Sequence, residues 1–234
     1  MSDTLAPKAI IGVMTPAMNT VVQPELEALR PTGVTNQMQR FRLGGDRVSD
    51  DLFAEAEKLM DCNPRVLAIG LTTDAGPGGV AKLASICEEL QARLGIPVCN
   101  ASIATQQALR HLQAQKIAVL TPFAADINRV VQENIEAGGF DVIAIAGTEA
   151  PSLPEICETP LAQIRDLAKR LADTDCDAIA QIGTALPVIG LLDELERETG
   201  KTIIACNAAV YWQALRVAGV NDPVSGYGRL LAEA

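Results

Sequence analysis

The sequence predicts an α/β fold of two pseudo-symmetric lobes, each a parallel sheet flanked by helices, with a site in the cleft between them. Three observations predict it. Short, β-branched-rich apolar runs alternate with amphipathic stretches along the whole chain. Hydrophobic residues make up 48% of the 234-residue chain while aromatics make up only 3%, so the core is built from Ala, Val, Ile and Leu, as suits buried parallel strands. Finally, the unit 96–110 is echoed by 203–216: each reads as a strand, then Cys-Asn-Ala, then a helix ending Gln-Ala-Leu-Arg.

In chain order, the apolar runs 9–14, 66–69, 96–98, 117–120, 142–145, 178–180 and 203–205 are four to six residues long or shorter and are expected to be strands. Residues 35–43 alternate more clearly and suit an edge strand. Helical periodicity covers 51–60, 80–94, 104–112, 125–137, 161–172, 189–199 and 208–217. Gly95, Gly138, Gly139 and Gly200 fit helix stops. The expected lobes are 1–113 with 218–234, and 114–217.

The net charge of −10 argues against a nucleic-acid partner, which needs Lys and Arg to neutralise phosphates. It argues equally against an anionic membrane surface. The N-terminus has no signal-like segment, and no apolar run is long enough to span a bilayer. Six scattered cysteines without CxxC pairs read as free thiols in a reducing compartment, so a cytoplasmic location is expected. A single histidine, His111, on a helix and scattered cysteines argue against a zinc site, and no metal is expected.

Ligands of open parallel sheets bind beyond the carboxyl ends of the strands. The segments there are 15–20, 70–79, 99–102, 121–126, 183–185 and 206–208, rich in Thr, Asn and small residues. Hydroxyls, amides and backbone N–H groups converging in this way make an anion or oxyanion site without cations. Thr72 and Thr73 read as donors to a carboxylate or as caps of the next helix. Gly76, Gly78 and Gly79 lack the spacing and the Lys-Ser/Thr ending of a phosphate loop. Asn19, Asn100 and Asn207 suit carboxylate binding, or turns and caps. Arg40 and Arg42 suit surface ion pairs or anion attraction, and Asp126 and Asn128 suit helix capping.

Several of these segments resemble the Asp/Glu racemase superfamily, in the branch of maleate cis-trans isomerases and arylmalonate decarboxylases. The carriers are Pro16-Ala-Met-Asn-Thr20 with Glu25, Arg40-Phe-Arg42, Thr121-Pro-Phe123 with Asp126 and Asn128, the run 211–219, and Gly226-Tyr-Gly-Arg-Leu230. The resemblance implies two similar lobes, a closed site between them, no metal, no organic cofactor, and a small carboxylate substrate. It also implies one or two cysteines that move protons or attack the substrate. Those cysteines would stand at Leu71 and Gly183, and the aromatic hydroxyl expected after Pro122 is replaced by Phe123.

Three readings follow. In the first, a cofactor-independent enzyme uses non-cysteine acid–base chemistry for hydrolysis, hydration or elimination. Asp74 is its base, or else a helix cap; Thr72, Thr73 and Thr184 support it, and Gly183 leaves space for water or a larger substrate. Thr15, Asn19, Asn100, Phe123, Cys206 and Asn207 then contact substrate. In the second, Cys99 and Cys206, at equivalent points of the repeat, replace the missing thiols in isomerase, racemase or decarboxylase chemistry; otherwise they are core residues, as Cys62, Cys87, Cys157 and Cys176 are expected to be. In the third, the chain binds carboxylates without turning them over. A homodimer is compatible with all three.

Overall fold

The computed structural model describes residues 3–43, 48–72 and 79–233, without the side chains of 48–50 and 79–80. Strand β1 (Ala9–Pro16) begins the first sheet. It is followed by helix α1 (Val22–Ala28), β2 (Val34–Phe41), α2 (Val48–Leu59), β3 (Val66–Ile69), α3 (Gly79–Leu94), β4 (Val98–Asn100) and α4 (Ala101–His111). The second sheet runs β5 (Lys116–Thr121), α5 (Ala125–Ala137), β6 (Asp141–Gly147), α6 (Leu161–Ala172), β7 (Ala178–Gln181), α7 (Leu192–Thr199) and β8 (Thr202–Ala205). Helices α8 (Cys206–Val217) and α9 (Arg229–Ala232) complete the chain.

The two sheets have the same strand order, β2-β1-β3-β4 and β6-β5-β7-β8, and every pairing is parallel. This repetition matches the echo in the sequence. The chain order reverses beside β1 and β5, where neighbouring loops turn to opposite faces and leave a crevice at the strand ends. Central strands β1, β3, β5 and β7 are almost wholly buried, which explains their unbroken apolar runs. The edge strand β2 is only partly buried and alternates accordingly.

Helices α4 and α8 lie against one another between the sheets, and each also touches strands of both. Small residues permit this approach: Ala101, Ala104, Ala108, Ala208, Ala209 and Ala214 are all buried. One apolar core therefore runs through both sheets, with a second cluster on the outer side of the first, around Phe53, Leu67 and Leu90. Among the described residues, no helix is long and apolar enough to cross a membrane. All six cysteines are free thiols.

Candidate active site

The ends of β1, β3, β4, β5 and β7 meet around a cavity of about 240 Å³. Of the residues singled out from the sequence, Asn19, Thr72, Asn100, Phe123, Gly183 and Thr184 line it, and so does Leu71. Thr73 and Asp74 lie outside the described residues. Thr15, Cys99, Cys206 and Asn207 do not line the cavity. Most of its wall is apolar: Met18, Leu43, Leu52, Leu83, Ile127 and Ile156 are among the lining residues. Among the described residues of the lining there is no Asp, Glu, His, Lys or Arg.

Most of the polar groups at the strand ends are already paired. The Asn19 side-chain oxygen accepts from the N–H groups of Val21 and Val22 at the start of α1, while its amide donates to Thr184 Oγ1 at 3.2 Å. The Thr184 hydroxyl in turn donates to the Gly70 carbonyl at 3.1 Å. Its proton thus ties the end of β7 to the end of β3 and is not aimed at a ligand, contrary to the catalytic role expected of it. Asn100 caps α4 through Ser102 and Ile103 N–H groups and donates to Leu71 O at 2.8 Å. The capping reading holds for Asn100, and the same bond fixes the backbone of a residue on the cavity wall.

Asn207, the counterpart of Asn100 in the repeat, has diverged. It lies within α8, not before it, and donates to Glu25 Oε2 at 2.7 Å and Thr184 O at 3.0 Å. Glu25 also accepts the backbone N–H groups of Val188 and Ile189 at 2.8 and 3.0 Å. Burial pushes its carboxyl up to about 7 despite these three donors. Glu25 is thus a buried bracket from α1 to the second half of the chain, a role the sequence left unassigned.

Among the described residues Arg40 pairs with no carboxylate. It donates to the carbonyls of Asn19 at 2.7 Å and Ala17 at 3.3 Å, and to Gln23 Oε1 at 3.1 Å, so it holds the loop that carries Asn19. Asn128 does not cap α5; it accepts from the Thr121 hydroxyl and donates to Phe123 O, fixing the turn after β5.

Gly183 borders the cavity, but a side chain built on it would meet Pro122 and not free space. Its φ is +116°, a region that side chains rarely adopt, and a Cβ there would stand 2.5 Å from Pro122 Cδ. A thiol cannot simply be restored at this position. The Cys206 thiol is fully enclosed and weakly bonded to Gln181 Oε1 at 3.6 Å. Burial, then the nearby Glu25, pushes it up to about 12. Burial does the same to Cys99. Neither is placed or ionised for nucleophilic work.

Two groups on the cavity remain uncommitted among the described residues. Thr72 is only 4% exposed, and its hydroxyl makes no hydrogen bond to another described residue. Cys87, expected to be a packing residue of α3, lines the cavity beside Leu83 and Ile86. No motif marks Cys87 in the sequence; its helical spacing from Leu83 places both on one face, which is the only available signal.

Comparison with known proteins gives one matching family, arylmalonate decarboxylase, over residues 12–231. The arylmalonate decarboxylase of Bordetella bronchiseptica is 26% identical over 198 residues, covering 81% of this chain and 80% of that one. The maleate isomerase of Nocardia farcinica is 26% identical over 239 residues, covering 95% of each. A solved structure of a cysteine-to-serine mutant of the Nocardia farcinica maleate cis-trans isomerase, with a covalently bound succinylcysteine intermediate, superposes with a TM-score of 0.81. It is 25% identical and covers 96% of this chain and 98% of that one. None of these relatives is a hydrolase or hydratase by name.

Proposed function

Because the chain belongs to the arylmalonate decarboxylase family, we propose that it removes CO₂ from a malonate carrying an apolar substituent, without a cofactor. The observation that carries this reading is the make-up of the cavity. Hydrogen-bonding groups gather where the sheets meet, around Thr72 and the backbone held by Asn100, while the rest of the wall is hydrocarbon. The substituent fits the hydrocarbon. One carboxylate meets the Thr72 hydroxyl and stays as the developing enediolate; the other lies against apolar wall, where an ion is poorly solvated. Departure as neutral CO₂ relieves that cost.

Maleate isomerisation is the less favoured reading. It is the activity by which the Nocardia farcinica relative is named, and the thioether in its structure implies a reactive cysteine. Leu71 and Gly183 stand where the resemblance would put such thiols, and the substitutes considered from sequence, Cys99 and Cys206, are off the cavity and held protonated by burial. Hydrolysis and hydration have no named counterpart among the relatives.

The test is a panel of aryl- and branched-alkyl-substituted malonates, unsubstituted malonate and maleate, followed by CO₂ release and proton NMR. Turnover of the substituted malonates with maleate left intact is expected. Conversion of maleate to fumarate with no CO₂ released from any malonate overturns the proposal.

A further inference from the structure

Loss of CO₂ leaves a carbanion that must take up a proton, yet Leu71 and Gly183 stand where the resemblance would put the family's thiols. We infer that Cys87, on the face of α3 that lines the cavity, delivers this proton to the α-carbon; the inference rests on the decarboxylase reading above.

The placement supports it in two independent ways. Among the described residues of the lining, Cys87 is the one with a titratable side chain. Its sulfur makes no hydrogen bond there, so the thiol proton is uncommitted. Separately, Thr72 is almost wholly buried, its hydroxyl makes no hydrogen bond among the described residues, and it lines the same cavity, where a bound carboxylate oxygen supplies an acceptor. Both residues border one cavity, so a malonate whose carboxylate is held by Thr72 lies in the space that Cys87 also lines.

The ionisation state suits donation and not abstraction. Burial, with Glu88 adding to it, pushes the Cys87 thiol up to about 12, so it carries its proton at neutral pH. An isomerase or racemase needs a thiolate at rest, to attack a double bond or to remove a proton. A decarboxylase needs only the loaded acid. In the step itself, the bond between the α-carbon and the departing carboxylate breaks, and its electron pair moves into the remaining carboxylate to give the enediolate. The S–H bond of Cys87 then breaks as the new C–H bond forms, leaving a thiolate. Water reprotonates that thiolate, so one proton is drawn from solvent for each CO₂ released.

A single donor on one wall fixes the handedness of the product. The experiment uses a malonate with two different α-substituents. CO₂ release and the enantiomeric composition of the acid are measured for the wild-type chain, Cys87→Ala and Cys87→Ser, with Cys62→Ala as control. Melting temperatures check that each variant folds, and Cys87→Ser serves where Cys87→Ala melts early. The expected result is a fall of about 100-fold or more in turnover for Cys87→Ala, with the residual product nearly racemic, and an unchanged control. A folded Cys87→Ala that keeps both rate and handedness overturns the role of Cys87 while leaving the decarboxylase reading intact. A wild-type chain inert toward every substituted malonate overturns both.

Discussion

Replacing Glu25 with Gln should abolish a specific part of the pH dependence of stability. In the folded chain the Glu25 carboxyl titrates near 7 against an ordinary value of 4.5, mainly because it is desolvated. A raised folded-state value means that the native chain holds this proton more tightly than the unfolded chain does. The contribution is therefore fully present below about pH 4.5 and is lost as pH rises through about 7. At about 1.4 kcal/mol per unit, the whole loss is about 3 kcal/mol. Gln keeps the shape and still accepts from Val188 and Ile189. Its amide would face the Asn207 amide, but Asn207 Oδ1 is buried without a partner and becomes the acceptor if that amide turns, giving up its bond to Thr184 O. Exposed carboxylates such as Asp175 and Glu194 are pulled below their usual range by Lys116 and Arg165 and push stability the other way. They are common to both proteins and cancel in the difference. Urea unfolding at several values between about pH 5 and 8 reads that difference. Wild type should lose about 2.5 kcal/mol relative to Glu25→Gln across the window. Parallel curves for the two proteins would refute the reasoning.

Thr72→Val should lower decarboxylation on the order of 100-fold with the melting temperature unchanged or slightly raised, because the hydroxyl has no partner to lose; steady-state kinetics beside a thermal melt checks both. Gly183→Cys should destabilise the fold by about 2 kcal/mol or more and give no new activity, since the backbone sits at φ +116° and Pro122 blocks the Cβ; a denaturant titration decides it. Arg40→Ala frees the loop at Ala17 and Asn19 and should raise KM more than it lowers kcat, read from saturation curves. Asn19→Ala removes both the acceptor for the Val21 and Val22 N–H groups and the donor to Thr184, and should cost about 2 kcal/mol in stability.

Much of the fold was legible because the signals behind it are local and repeated. The runs of β1, β3, β5 and β7 are continuous because those strands are buried on both faces, and the shared strand–Cys-Asn-Ala–helix unit foretold two sheets of one order. What was missed had competing local signals. The spacing starts the third expected helix near 104, but Asn100 caps it and α4 begins at Ala101. Helix α1 escaped notice because Pro24 interrupts a short, weakly periodic stretch, yet proline is tolerated in a first turn and Glu25 is anchored from outside the helix. The two asparagines of the repeat look alike in sequence. Only the packing of α8 shows one as a cap and the other as a bridge to Glu25.

The site was legible as a location more than as a chemistry, and the reason is a competition for hydrogen bonds. Thr, Asn and Arg at strand ends read as ligands for an anion, but the same donors are what two sheets need to close on each other. Asn19, Thr184 and Arg40 are committed to that closure, and their bonds hold the loops and strand ends around the cavity. A paired donor cannot also stabilise a developing charge without breaking its own bond, so it contributes position and not catalysis. What remains for chemistry is whatever the fold leaves unpaired on the cavity wall. Among the described residues those groups are the hydroxyl of Thr72 and the thiol of Cys87. One can hold an oxygen and the other can give a proton, and neither is basic enough at neutral pH to remove one from carbon. That asymmetry is the physical argument by which the proposed decarboxylation is preferred to isomerisation.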